Sequence, residues 1–351
     1  MKKVVKFGGS SLASAAQFKK AGHIIRQDES RRYVVPSAPG KRHPQDTKVT
    51  DMLYSCYLLA LREEDEEEQF EKMILDIKAR YDEIIRGLDL TLDLTEEFQV
   101  IRENFSRKIG RDYAASRGEY LNGIVMAEYL GYTFIDAADV IFFQESGAFD
   151  AEKTNQVLAE RLADCERAVI PGFYGSLPDG RIKTFSRGGS DITGSIVAKA
   201  VHADMYENWT DVSGFLVADP RVVKNPKAID VITYRELREL SYMGASVLHE
   251  DAIFPVRKEG IPINIRNTNC PEDKGTLIVE ATCRTPRFTI TGIAGKRDFA
   301  SITVEKAMMN SEVGFCHKVL GVFAANDISI EHMPSGIDTM PIFVHQDEFE
   351  E

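Results

Sequence analysis

The run Val4-Val5-Lys6-Phe7-Gly8-Gly9-Ser10-Ser11 places one lysine on a β-branched stretch that ends in two glycines and two serines. Such a stretch can handle phosphate. Glycines let a backbone come close to an anion, hydroxyls and amides donate to it, and a helix starting just downstream adds its positive end. The lysine precedes the glycines, and neither the GxxxxGK[ST] spacing nor GxGxxG is present, so the P-loop and the dinucleotide fingerprint do not apply. A strand ending in Gly-Gly is also an ordinary turn, and the run alone leaves both readings open.

Four further segments carry chemistry-bearing side chains beside glycines. Ser116-Arg117-Gly118-Glu119 stands at the head of a helical stretch that runs on to Leu130. Phe185-Ser186-Arg187-Gly188-Gly189-Ser190-Asp191 is a second strand-to-helix transition with paired glycines. Trp209-Thr210-Asp211-Val212-Ser213-Gly214-Phe215 is followed by Ala218-Asp219-Pro220-Arg221, and Gly244-Ala245-Ser246-Val247-Leu248-His249 comes last. Each has an ordinary explanation: glycine pairs make turns, Asp-Pro-Arg starts helices, and His249 packs or caps. Their succession along one chain is what sets them apart.

Rigid elements have to hold these groups. From residue 1 to about 280 short β-branched runs alternate with amphipathic stretches, which predicts an α/β sheet with helices on its faces. Strands are expected at 4–7, 33–35, 134–136, 168–171, 205–210 and 263–266, several too apolar for a sheet covered on one side only. Phe18, Ala21 and Ile25 mark a first helix, and Phe70, Met73, Ile77, Tyr81, Ile84 and Leu88 repeat at helical spacing. With Leu94, Phe98, Ile101 and Phe105 beyond Gly87, residues 63–108 read as an inserted helical hairpin opened by an acidic, solvated run. Residues 281–287 read as a linker, and 288–351 as a βαββ module with strands at 288–294, 300–304, 328–333 and 341–345. A sheet that small leaves an edge or face uncovered, so it is expected to pair with another copy or to continue beyond Glu351.

A chain of 351 residues exceeds one compact core, so two domains are expected. The net charge of −12 disfavours nucleic acid, whose phosphates demand basic surface. Cys56, Cys165, Cys270, Cys283 and Cys316 lack the spacing of a zinc site or disulfide framework. No run of about eighteen apolar residues and no signal-like leader occurs, so a cytoplasmic protein with no membrane partner is expected.

In order and spacing, Lys6-Phe7-Gly8-Gly9-Ser10-Ser11, Ser116-Arg117-Gly118-Glu119, Arg187-Gly188-Gly189-Ser190-Asp191 and Trp209-Thr210-Asp211-Val212 resemble the aspartate kinases of the amino acid kinase family. The resemblance covers essentially the whole chain. It implies a three-layer αβα sandwich over 1–280 and an ACT-like regulatory domain over 288–351. The implied reaction is ATP-dependent phosphorylation of the β-carboxylate of L-aspartate to 4-phospho-L-aspartate, the first step toward lysine, threonine and methionine. A carboxylate with a reference pKa of about 3.9 is already ionised at neutral pH, so no general base is needed. Phosphoryl transfer needs alignment and cationic stabilisation instead.

Lys6 can supply that charge and Gly8 and Gly9 amide donors, with Ser10 beside them, and the resemblance implies that Asp191 orients Lys6. Arg187 offers a planar fork for the substrate α-carboxylate, and Glu119 an anion for its ammonium. The resemblance adds Ser37, Thr50, Phe173 and Ser190 to this pocket. Thr210 and Asp211 end a strand where a nucleotide can sit, with Asp219 and Arg221 one loop later. Mg²⁺ is implied with the nucleotide, and no protein ligand is assigned to it. One departure is Ser246, where many relatives carry a phosphate-binding lysine.

For the module after residue 288 the resemblance implies an amino-acid effector near Met308, Met309, Glu312, Gly314, Phe315, Ser329 and Glu331. The acid at Glu331 favours lysine over threonine, and pairing of such domains implies a homodimer or homotetramer. The alternatives are a related amino acid kinase with another acceptor and a catalytically weak or inactive amino-acid-binding subunit.

Overall fold

A computed structural model describes residues 1–62, 67–186, 188–244, 248, 254–281 and 289–349. The chain forms two compact units, Met1–Ala294 and Gly295–Glu351. In the first, β1 (Lys3–Phe7), α1 (Ala15–Arg26), β2 (Arg31–Pro36) and α2 (Val49–Leu61) lead into α3 (Glu67–Gly87) and α4 (Thr95–Ser106). Next come α5 (Arg111–Leu130), β3 (Thr133–Phe134), α6 (Ala137–Val140), α7 (Ala151–Ala163) and β4 (Ala168–Val169). A small hairpin, β5 (Tyr174–Ser176) and β6 (Ile182–Thr184), precedes α8 (Gly189–Ala200) and β7 (Met205–Thr210). Finally β8 (Val231–Thr233), α9 (Tyr234–Tyr242), α10 (Phe254–Arg257), β9 (Ile263–Asn267) and β10 (Thr276–Val279) complete the unit.

Eight strands form one sheet in the order β3-β4-β2-β1-β7-β9-β10-β8, parallel throughout except where β9 meets β10. Successive residues on a strand face opposite sides, and both sides are filled. Val4, Tyr33 and Val35 belong to one core with Ile192, Ile196 and Val197 of α8, while Val5, Phe7 and Val34 belong to another with Phe18, Leu53 and Ile77 from α1–α3. That double burial is why apolar residues fall on both faces of these strands. It also settles where Lys6 lies, since Lys6 shares its face with Val4 and therefore meets α8.

The expected helical hairpin is present as α3 and α4, with 63–66 outside the described residues. Its stripe is fully buried at Ile77 and Tyr81, with Ile74 taking the place expected for the partly exposed Met73. Each such apolar side chain contributes roughly 1.5–3 kcal/mol when buried.

The second unit has β11 (Phe299–Glu305) antiparallel to β12 (Thr339–His345), with α11 (Phe315–Ala325) placing Phe323 on a small core of Met309, Met340, Ile342 and Val344. Two expected strands differ. Residues 289–294 form no strand; they belong to the first unit, where the Ile293 amide donates to the Val217 carbonyl at 2.7 Å and Thr291 Oγ1 to Glu236 at 2.5 Å. Residues 328–333 make a single bridge, His332 to Phe343, because the chain meets β12 only there while Ile328 and Ile330 pack on the core. Consequently the boundary falls at residue 294, past the expected linker, of which 282–287 lie outside the described residues.

Candidate active site

The carboxyl ends of β2, β1 and β7 lie side by side, with Phe7 opposite Pro36 and Trp209. In an open parallel sheet this end is where ligands bind. Lys6 pairs across the ladder with Asn208, and both turn toward the first turn of α8. Lys6 Nζ stands 2.5 Å from Asp191 Oδ1, and Asn208 Nδ2 donates to that same oxygen at 2.8 Å. A buried ammonium is thereby held at one point. Asn208 was not singled out from sequence; its position directly across from the lysine on a neighbouring strand is the signal that marks it.

Two glycine turns cross in front of this lysine. The Gly8 amide donates to the Trp209 carbonyl at 3.0 Å and the Gly40 amide to the Gly9 carbonyl at 2.8 Å. A Cβ on Gly9 would stand 2.8 Å from the Ala38 carbonyl oxygen, and one on Gly40 only 2.6 Å from the Gly9 carbonyl carbon, so both positions require glycine. At Gly8 a Cβ would meet Lys6 Nζ at 3.6 Å, which is ordinary contact. Gly8 therefore keeps the approach to the ammonium clear. Ser10 is exposed in the following turn, while Ser11 is buried and shares a 2.8 Å hydrogen bond with Thr268 Oγ1.

The segment Ser116 to Glu119 occupies the second and third turns of α5 rather than its head, and Glu119 is 6 % exposed. Burial pushes its carboxyl up to about 8, against smaller opposing effects of the Ala38 amide, Lys6 and Arg117. Oε2 has no hydrogen-bond partner. An unpaired buried acceptor costs roughly 1–3 kcal/mol, which a ligand ammonium would recover. Ser37 is tied to the same helix, its carbonyl accepting from Asn122 Nδ2 at 2.7 Å. Thr50 is half-buried in the first turn of α2, which packs on α5 where Gly118 has no side chain. Arg117, beside Glu119, faces away into a cage of Tyr113, Tyr120 and Tyr174.

Phe173 has φ +83°, a left-handed conformation that costs a non-glycine residue roughly 1–2 kcal/mol. Its amide donates to Thr193 Oγ1 at 3.1 Å, its carbonyl accepts from the Phe185 amide at 3.0 Å, and its ring lies over Gly189. Ser190 packs on Gly172, so the structure brings Phe173, Ser190 and Asp191 together at the start of α8. Arg187, Ser246 and His249 lie outside the described residues. Thr210 ends β7 half-buried, Asp211 is exposed, and Asp219 and Arg221 form their own bidentate pair, at 3.0 and 2.7 Å, with the arginine side chain 86 % exposed.

Among the expected effector residues, Met309 is a correction. It is 2 % exposed and belongs to the core of the second unit, because the short 3-10 turn Met309–Ser311 directs it inward. Met308 is exposed, Glu312 is held by Lys306 and by Lys318 at 2.8 Å, and Gly314, at φ +81°, precedes Phe315 at the start of α11. Glu331 lies 3.9 Å from Lys296, and Ser329 is two residues before it in the segment along β12.

A clamped lysine, crossed glycine turns and a buried carboxyl at the carboxyl ends of a parallel sheet define a phosphate-handling α/β enzyme. The profile of the amino acid kinase family matches residues 1–267. Aspartokinase 3 of Bacillus subtilis is 39% identical over 99% of this chain and 79% of its own length. Lysine-sensitive aspartokinase 3 of Escherichia coli is 31% identical over 93% of this chain and 75% of its own. The crystal structure of Clostridium acetobutylicum aspartate kinase matches with a TM-score of 0.90 and 52% identity, covering 100% of this chain and 79% of that one. Escherichia coli aspartokinase III with aspartate and ADP matches at 0.77 and 27%, covering 98% and 79%. The chain belongs to the amino acid kinase family, as one of its aspartate kinases, phosphotransferases with a carboxyl group as acceptor. Among the described residues no helix is long and apolar enough to cross a membrane.

Proposed function

We propose that the chain transfers the γ-phosphoryl group of ATP to the β-carboxylate of L-aspartate, making 4-phospho-L-aspartate at the head of lysine, threonine and methionine synthesis. One observation carries this reading: a buried carboxyl with a free oxygen, Glu119, faces the same strand ends as the clamped ammonium of Lys6. Glu119 receives the substrate ammonium, Arg187 its α-carboxylate, and Ser37, Thr50, Phe173 and Ser190 shape the pocket around them. The ionised β-carboxylate attacks the γ-phosphorus in line with the departing ADP oxygen. Lys6 meets charge on the transferred oxygens, with the amides at Gly8 and Gly9 as further donors. Asp191, itself held by Asn208, keeps Lys6 aimed.

The open approach past Gly8 fits the triphosphate, and Thr210 and Asp211 stand where its nucleoside part rests. Among the described residues there is no cluster of three His, Cys, Asp or Glu to hold a metal. In this reading Mg²⁺ arrives with the nucleotide, where it would draw charge off the transferred group.

Lysine is the proposed effector, held at the second unit by Glu331 and Ser329. The Escherichia coli enzyme crystallised with lysine and aspartate in a T-state supports this, matching here at TM-score 0.70 and 26% identity. The enzyme acts as a homodimer or homotetramer joined through that unit, in a reducing cytoplasm that suits its scattered thiols.

Hydroxamate trapping of the acyl phosphate tests the reaction. Purified enzyme with ATP and Mg²⁺ is expected to yield hydroxamate with aspartate and none with glutamate, and less when lysine is added. Product with glutamate alone, or none with either, would overturn the reading.

A further inference from the structure

The inserted hairpin is not part of the αβα frame, yet two of its consecutive residues reach into the site from behind. Arg80 on α3 is 4 % exposed, an unusual place for a charge that no substrate explains. Its Nη2 donates to the Gly40 carbonyl at 2.7 Å and the Ala13 carbonyl at 3.3 Å, and its Nη1 to Asp46 Oδ2 at 2.8 Å. Arg42 also holds Asp46, at 2.9 Å. Gly40 is the residue that donates to the Gly9 carbonyl and leaves no space for a Cβ there. One guanidinium therefore ties both crossing turns, at Gly40 and at Ala13, to the same helix.

Tyr81, the next residue, is fully buried, and its hydroxyl donates to the Gly118 carbonyl at 2.7 Å. Gly118 precedes Glu119 and lies against Ala38, where a Cβ would come within 2.8 Å of the alanine methyl. α3 is itself fixed at its far end, where Gly87 abuts Ala15 at the start of α1.

We infer that the helical hairpin is the brace of the reaction centre: Arg80 and Tyr81 are positioning residues that hold the phosphate-side glycine turns and the acceptor-side Glu119 at their working separation. This rests on the aspartate kinase reading above. Packing alone would ask only for apolar side chains on this face, as at Ile77 and Ile84. A desolvated guanidinium is expensive unless geometry repays it, and its planar fork can hold three acceptors in fixed directions as an ammonium cannot. Transfer between two bound groups is sensitive to their separation, with a misplacement of about 1 Å costing on the order of a hundredfold in rate.

The test compares Arg80→Met, Arg80→Lys and Tyr81→Phe with the parent enzyme, in initial rates with each substrate varied. Arg80→Met is expected to lower kcat by about ten- to a hundredfold and to raise the KM for ATP with that for aspartate little changed, and Arg80→Lys to recover part of the loss. Tyr81→Phe, which keeps the ring and its packing, is expected to raise the aspartate KM by about three- to tenfold with the ATP KM unchanged. A merely structural role would shrink the active fraction and leave both KM values where they were. That result, in both Arg80→Met and Tyr81→Phe, overturns the proposal. Hydrogen exchange at the Gly40 amide without substrate keeps the brace separable from the reaction assigned. Faster exchange in Arg80→Met supports the brace even where no aspartate is phosphorylated, and unchanged exchange overturns it.

Discussion

Lys6 and Asn208, opposite each other on neighbouring parallel strands, converge on one oxygen of Asp191. The lysine is thus aimed from two sides, by the strand that carries it and by the first turn of the helix above it. Lys6→Met is expected to reduce kcat by about a hundred- to a thousandfold, the loss seen when one transition-state donor is removed. Asn208→Ala leaves the ion pair in place and should cost far less. Steady-state rates on both variants check this order, and an Asn208→Ala loss as large as that of Lys6→Met would contradict it.

In the proposed role, Glu119 is expected to make aspartate binding depend on pH. Its carboxyl titrates at about 8 in the folded, ligand-free protein against 4.5 when exposed. The folded state therefore holds a proton that the unfolded chain gives up, so the pH-linked cost of burial is absent below pH 4.5 and grows to its full size above pH 8. Glu119→Gln should raise the melting temperature of the free protein increasingly across that window, with a stability gain of up to a few kcal/mol.

An ammonium arriving at Glu119 favours the ionised form, so binding near neutral pH should release close to one proton. Titration calorimetry in buffers of different ionisation enthalpy reads that number directly. Release unchanged in Glu119→Gln would remove this residue from the ammonium role.

The glycines of the crossing turns are not equivalent. Gly9→Ala and Gly40→Ala put a methyl within 2.8 and 2.6 Å of backbone and should lose both stability and activity. Gly8→Ala meets only contacts of 3.6 and 3.7 Å, and should melt normally while kcat falls, because its methyl stands in front of Lys6. Melting curves set beside rates separate the two outcomes.

Arg187→Ala is expected to raise the aspartate KM by about tenfold or more with little effect on the ATP KM, through loss of a bidentate carboxylate contact. Equal effects on both substrates would remove it from that role. In the second unit, Glu331→Ala is expected to abolish inhibition by lysine while leaving the uninhibited rate intact, and unchanged inhibition would exclude that residue.

Much of this protein is local in origin. The strands at 4–7, 33–35 and 205–210 send side chains into the cores on both faces of the sheet, and the stripe from Phe70 to Leu88 has one periodicity that a helix alone satisfies. Motifs such as Lys6 to Ser11 and Ser116 to Glu119 carry their chemistry in their residue types, so the kind of site could be read from them directly. What pairs with what could not. Residues 289–294 have strand-like composition but hydrogen-bond to the Val217 loop instead of a sheet, and Met309 has the flexibility of a ligand contact but fills a core. Asn208, Arg80 and Tyr81 carry no motif, and they matter only because strand order puts β7 beside β1 and the hairpin folds back behind Gly40 and Gly118. Side-chain types and periodicity are properties of neighbours along the chain. A buried charge, an unpaired carboxyl oxygen or a crossing of two glycine turns is a property of neighbours in space, and only the packed fold brings those together.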